Sequence, residues 1–517
     1  MAGAGHDFVV VIPVADRPRH LTACLDSLKT LLATYPYAGR VSVLVADDSR
    51  DEASRQRHRE IVDACGLDAH YLGQDEQRAL VADLPVEDQG RLTGVVGSAS
   101  AVDFHHKGAS ITRNIAYLWL RRLPDEGRPR LFWFLDSDQE FRVNVATDEG
   151  EVLAYAVDYL HALDRIFSTT PARVLTGKVV GDPPVSPAVM AGNFLDDVLA
   201  FLAEMATRDS AAVCTFHGPV RAAGDAAYHD MADLFGFRGG AEAFRYRCPL
   251  AGAHDHAACF ADFAARLDRF FDGEHPTRRS YYEADDPLDS LKPARTIYTG
   301  NYVFTVEGLD GFIPFADLKL RMAGPTLGRL LRAELGEAFV SANLPMLHKR
   351  TVAETGQSEC RPGIDRQRER VDLSGEFERQ YFGDVMLFGI ERLTGQGFPS
   401  APLARDRVEA SVAEVETQLR DRYRARQADT AARLDRLEAL FEAPANWWHA
   451  RAGLAGACSD FRRFFANLRA NFAADAPVWR QLGDPSHRAR RLAAMTDAIA
   501  RYRDDQSVWR QVMRRAE

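Results

Sequence analysis

A chain of 517 residues is too long for one ordinary domain, and 46% hydrophobic against 27% charged residues is the balance of a folded, water-facing protein. With 64 Lys plus Arg against 74 Asp plus Glu the net charge is −10, which argues against a general nucleic-acid binder and leaves only a local basic patch open. Seven cysteines lie scattered without a dense framework, so a reduced, cytoplasmic compartment is expected. The N-terminus lacks the basic region of a signal peptide. No apolar run approaches the ~18 residues of a membrane span, so any membrane contact would be peripheral.

In chain order, FVVVIPV (8–14) reads as a buried strand closed by Pro13. RHLTACLDSLKTLL follows with Leu21, Leu25, Leu28 and Leu32 at helical spacing. VSVLVADDS (41–49) is a second buried strand ending in acids, GASITRNIAYLWLRRL (108–123) a helix, and RLFWFLDSD (130–138) a further strand. Continuous apolar strands alternating with helices predict a parallel sheet covered on both faces, with ligands at the carboxyl ends of the strands. Asp16, Asp47, Asp48, Asp136 and Asp138 all fall at such ends.

From 150 to 290 the pattern loosens, with helices expected at 152–167, 194–207 and 257–272 and an extended stretch at 177–187. Strand character returns at 294–309, followed by a helix near 326–335 and the segment SANLPMLHKRT (341–351). Gly, Pro and Ser cluster at 394–404, which predicts a linker. Beyond it Val408, Val412, Val415, Leu419, Tyr423, Thr430, Leu434, Leu437 and Phe441 form a stripe at three- and four-residue steps that Pro444 ends. Arg outnumbers the acids here, but acids are interspersed on the same helices. A packed helical bundle or an oligomer contact is therefore favoured over a lipid-facing surface.

Asp136 and Asp138 at a strand end can present two carboxylates to one divalent cation, and hard oxygen ligands suit Mg²⁺ or Mn²⁺. A phosphohydrolase nucleophile motif would place a small residue where Gln139 and Glu140 follow. It would also need a later acid pair after an apolar strand, and Asp285–Asp286 follows none.

Four stretches in order, VVVIPVADRPRHLTACLDSL, VLVADDSRDE, KGASITRNIAY and FWFLDSD, resemble the GT-A glycosyltransferases of the family-2 type, which use nucleotide-sugar donors. That resemblance implies an α/β fold with a Rossmann-like, mostly parallel sheet flanked by helices. The catalytic domain would span 1–395, with 150–290 an acceptor-side insertion, and an all-α domain would span 404–517. It implies metal-dependent transfer of a sugar from a nucleotide-diphosphate donor (a UDP- or GDP-sugar) to a glycan, small-molecule or lipid-linked acceptor. Asp138 would hold Mn²⁺ or Mg²⁺, and Asp136 would touch the sugar, the ribose or the metal. His348 is the expected third ligand. Pro13, Asp16, Asp47 and Asp48 would border the nucleoside, and Lys349 or Arg350 could face the diphosphate. Arg113 would reach a phosphate or else pair with one of the aspartates. Gly300 and Asn301 would line the donor sugar and the acceptor, and Arg321 could bind phosphate or an acidic acceptor. The Glu-Asp pair that often supplies the base is missing from FADLKLRMAGPTLGRL (315–330). Asp317 is therefore the candidate base unless the enzyme is a retaining one.

Two rivals stand beside this reading. A sugar-1-phosphate nucleotidyltransferase needs a glycine-rich phosphate loop after its first strand, where this chain has PVADRPRHL. A non-catalytic scaffold acting through its helical tail, including homo-oligomerisation, would not need both acids and His348. Finally, CPLAGAHDHAAC (248–259) offers Cys248, His254, His256 and Cys259, with Cys214 and His217 upstream. The spacing is not that of a usual zinc knuckle, so ordinary cysteines are the expectation.

Overall fold

A computed structural model describes residues 5–148, 150–218 and 246–515. Its central sheet is built from β1 (Asp7–Val14), β2 (Val41–Asp47), β3 (Asp68–Leu72), β4 (Arg130–Leu135) and the two-residue β5 (Gln139–Glu140). After a separate hairpin, β6 (Val143–Thr147) and β7 (Gly150–Ala154), come β8 (Val174–Gly181), β9 (Lys292–Pro293), β10 (Asn301–Thr305) and β11 (Phe339–His348). A second small hairpin pairs β12 (Asp365–Gln367) with β13 (Arg370–Asp372).

The strand order is β3-β2-β1-β4-β10-β8-β11-β5, with β9 on the side of β11. The expectation of a mostly parallel sheet holds only in part. β3, β2, β1 and β4 run parallel, as do β8 and β11, but β10 lies antiparallel between β4 and β8. Strand direction depends on how the long excursion between β8 and β10 returns the chain, and no local pattern encodes that. The sheet is mixed.

Helices cover both faces. In the first half these are α1 (Pro18–Thr34), α2 (Glu52–Ala64), α3 (Gln74–Ala82), α4 (Val86–Arg91), α5 (Thr93–Val96) and α6 (Ala109–Arg121). Then come α7 (Tyr159–Thr169), α8 (Pro187–Met205), α9 (His256–Arg266), α10 (Ala323–Leu335) and α11 (Ser374–Thr394). Pro18 opens α1, where its missing N–H costs nothing, and Leu21, Leu25, Leu28 and Leu31 are buried beneath it. The expected helix at 152–167 starts later, at Tyr159, because 150–154 is committed to the β6–β7 hairpin.

The C-terminal region is wholly helical: α12 (Arg405–Phe441), α13 (Ala455–Phe472), α14 (Pro477–Gly483) and α15 (Pro485–Arg515). Every residue of the stripe from Val408 to Phe441 is buried. These helices share one continuous apolar core with α6, α8 and one face of the sheet. Trp509 of α15 is fully buried, donates from Nε1 to the Leu309 carbonyl at 2.8 Å, and lies 5.7 Å from Phe312. Among the described residues no helix is long and apolar enough to cross a membrane.

Between α11 and α12 lies a buried polar contact. Asp384 accepts from Tyr423 Oη at 2.6 Å and from Gln380 Nε2 at 2.8 Å. Burial pushes its carboxyl up to about 7, although the Tyr423 and Gln380 bonds oppose the rise. A raised carboxyl favours folding fully below its ordinary value of 3.8, and that contribution is lost as pH rises through about 7. Asp384→Asn keeps an acceptor for Gln380, and Tyr423 can turn to accept from the new amide. The variant should therefore unfold at higher urea than the parent at pH 8, and the gap should shrink steadily as pH falls towards about 4. A parent advantage at pH 8 would contradict it.

Candidate functional site

The chain leaves β1 through α1 to β2 on one side, and later returns through α6 to β4 on the other. The point between β1 and β4 is thus a topological switch, where open α/β sheets form a crevice beyond the strand carboxyl ends. The register shows the opening directly. Pairing of β1 with β4 stops at Val11–Phe134, whereas pairing with β2 continues to Val14–Asp47. Pro13, which has no N–H to donate, sits on β1 just beyond the end of the β4 ladder.

β11 ends on the same edge as β4, because β4, β8 and β11 share one direction. Its last residues pair with β5, Leu347 opposite Glu140 and His348 opposite Gln139. This short ladder brings two distant segments together and sets His348 beside Asp138.

Asp138 is buried, and its Oδ2 lies 3.2 Å from Arg17, 3.5 Å from Arg350 and 3.7 Å from His348 Nε2. Burial works against its ionisation. His348, Arg17 and Arg350 overcome this and hold the carboxyl well below the usual carboxylate range. Its other oxygen, Oδ1, is buried with no hydrogen-bond partner among the described residues. His348 Nδ1 bonds the Asp182 carbonyl at 2.6 Å, so Nε2 either carries a proton towards Asp138 or offers a lone pair to a cation between them. An unpartnered carboxylate oxygen beside an imidazole oriented through its other nitrogen fits a divalent cation, and the mixed O/N set suits Mn²⁺ better than Mg²⁺.

Asp136 is turned differently. Its side chain is 34% exposed, and Arg113, almost fully buried on α6, ion-pairs with its Oδ1. Of the two roles open to Arg113, the structure places it against an aspartate. Asp136 does not join Asp138 and His348 in a converging three-residue set. Gly300 makes room for it: a Cβ there would stand 2.6 Å from Asp136 Oδ2. Asn301 braces the sheet instead, donating to the Lys178 and Leu344 carbonyls and accepting from Trp133.

Behind Asp138 lies a group of arginines that sequence reasoning did not assemble. Arg321 pairs with buried Glu376 at 2.5 Å, and Arg361 lies 3.7 Å from the same carboxylate. Burial, then Arg350, pulls the Arg361 guanidinium well below its ordinary range; Arg321 and Arg17 add to the effect and Glu376 opposes it. Arg17, Arg321, Arg350 and Arg361 thus crowd around Asp138 and Glu376, an excess of positive charge suited to a polyanion. In an arginine-rich chain single arginines carry no signal, and these come from three separate segments, Arg350 and Arg361 sharing the loop after β11.

The remaining candidates take other positions. Asp47 is fully buried and accepts from Tyr71, Ser49 N and His58. Asp48 is occupied by Lys107 and the Gly108 amide. Asp16, in the left-handed region at φ 52°, faces His106 at 2.6 Å, with Cys360 beside both. Lys349 pairs with Glu140 at 3.1 Å. Asp317 is half-exposed, with its carboxyl raised by burial against the opposing Arg501. Its neighbours Gly94 and Arg501 belong to α5 and α15 rather than to the Asp138 group.

No protein-family model matches the chain. No curated protein matches it either. Among solved structures, the crystal structure of a mycobacterial protein aligns over 68% of this chain and 70% of its own, at 12% identity and a TM-score of 0.27.

Proposed function

We propose that the chain is a metal-dependent glycosyltransferase of GT-A type, moving a sugar from a nucleotide-diphosphate donor to an acceptor hydroxyl. The observation that carries this reading is the Asp138–His348 pair, with Oδ1 of Asp138 unpartnered, beside crowded arginines at the switch point of the sheet. Breaking a sugar–diphosphate bond leaves a strongly anionic leaving group, and preorganised positive charge is the main requirement for it. Arg17 and Arg350 stand ready to exchange part of their hold on Asp138 for the phosphates, while Arg361 is kept in place by Glu376. A divalent cation bound by Asp138 and His348 would further neutralise the departing diphosphate. Asp136, partly exposed and steadied by Arg113, takes the sugar side. Asp16 and Asp48, at the ends of β1 and β2, border the nucleoside.

Calorimetry and donor hydrolysis across UDP-, GDP- and dTDP-sugars, with and without Mn²⁺, test the proposal. Metal-dependent binding and turnover of one donor are expected; no nucleotide binding under any metal condition would end it. Within this reading, Gly300→Ala should lower turnover about 10- to 100-fold by displacing Asp136, and should also lower the urea midpoint, because the added Cβ meets the buried Tyr298 ring at 2.9 Å. Unchanged turnover would mean that Asp136 does not need its present position.

A further inference from the structure

Far from the crevice, the segment after α8 and the segment before α9 run side by side. Cys214 N donates to the His254 carbonyl at 2.9 Å, and Cys248 N donates to the Phe216 carbonyl at 2.7 Å. Val213 and Asp255 form an isolated bridge. This backbone pairing aligns a Cys-x₂-His step on one segment with a Cys-x₅-His step on the other.

The ligand atoms of Cys214, His217, Cys248 and His254 all lie within 4.8 Å of one another. A tetrahedral zinc with sulfur at about 2.3 Å and nitrogen at about 2.1 Å sets S···N edges of about 3.6 Å. Cys248 Sγ and His254 Nε2 are 3.3 Å apart, close to that edge. The other nitrogen of His254 meets the Gly252 carbonyl at 2.8 Å, which fixes the tautomer with Nε2 facing the thiol. Gly252 has φ 77°, which a side chain would resist, and so permits this turn. The rings of His217 and His254 meet edge-on at 4.9 Å.

The set differs from the one the sequence suggested. His256 is occupied by the Asp209 carbonyl and by Thr215. Cys259 lies in the first turn of α9 with a fully buried side chain and touches the other two thiols from behind. Ordinary buried cysteines would not require two imidazoles from separate segments to converge on them.

We propose that Cys214, His217, Cys248 and His254 hold a structural zinc ion. Binding displaces the two thiol protons to solvent and leaves two thiolates and two neutral imidazoles around the metal, with no redox change. The ion clamps the segment that follows α8 to the one that leads into α9, whose N-cap, Asp255, adjoins His254.

Metal analysis of the full chain, purified without chelator, should find about one zinc per chain, retained in Asp138→Asn and in Cys259→Ser. It should fall at least tenfold in Cys248→Ser and in His217→Ala. Exchange of the unaltered protein with cobalt(II), which needs no variant, should give the visible spectrum of a tetrahedral site with thiolate charge transfer. Protein that contains no zinc and takes up no cobalt would overturn the proposal, as would a disulfide joining two of the three thiols in the purified chain. Loss of zinc from Cys259→Ser with none from His217→Ala would overturn this ligand set.

Discussion

Asp138→Asn is expected to reduce metal-dependent donor turnover by about 10³-fold or more, the scale seen when one preorganised electrostatic contact to a developing charge is removed. Asparagine fits the same space, so the loss reports charge rather than packing. It leaves Arg17 and Arg350 without the carboxylate that both now face. Binding of the free nucleoside diphosphate should therefore survive or tighten, while the response to Mn²⁺ disappears. That split distinguishes a lost metal ligand from a collapsed site. Because the Asp138 carboxyl is held well below the usual carboxylate range, its stabilising ionised form is lost only as pH falls through that depressed value. Any fall in activity between pH 7 and 5 must then come from another group. Unchanged turnover in the variant would remove Asp138 from the chemistry. The same assay on Asp317→Asn addresses the acceptor base: full activity there would eliminate Asp317 from that role.

Glu376→Gln is expected to destabilise the fold by about 3–5 kcal/mol, the usual cost of removing one partner from a buried ion pair. Glu376 is 1% exposed and faces both Arg321 and Arg361, so the substitution strands the buried Arg361 side chain and the partly buried Arg321. Burial alone would raise the Glu376 carboxyl, but Arg321, Arg361 and Arg379 outweigh it and hold the carboxyl below its ordinary value. A depressed carboxyl contributes stability above its unfolded value and loses it as pH falls through the folded one. The difference between parent and variant should accordingly be full at neutral pH and shrink in acid. Urea denaturation at pH 7 and pH 3.5 measures both. An unchanged midpoint at pH 7 would mean that the arginines are neutralised by another route.

Much of the fold was legible for a simple reason. Strands buried on both faces read as unbroken apolar runs, and β1, β2 and β4 do. The α12 stripe was equally clear, since a long helix repeats its pattern many times. β3 was missed because DAHYL alternates and is largely open to solvent. The reversed direction of β10 is a tertiary fact with no local signature. At the site, Asp136, Asp138 and His348 could be singled out, but their division of labour could not. Only the β5–β11 ladder reveals that Asp138 turns to His348 while Asp136 turns to Arg113. Asp47 and Asp48 look equivalent in sequence, yet one is buried behind the sheet end and the other is held by Lys107.

The position of Trp509 also bears on biosynthesis. α15 joins the molecule by contacts of long sequence separation: Arg121 to the Met513 carbonyl spans 392 residues, and Trp509 to Leu309 spans 200. During translation the first strands and α6 emerge long before the helix that covers Tyr117 and Phe312. Until then an aromatic surface stands open on a nascent chain, the condition that recruits chaperones and invites aggregation.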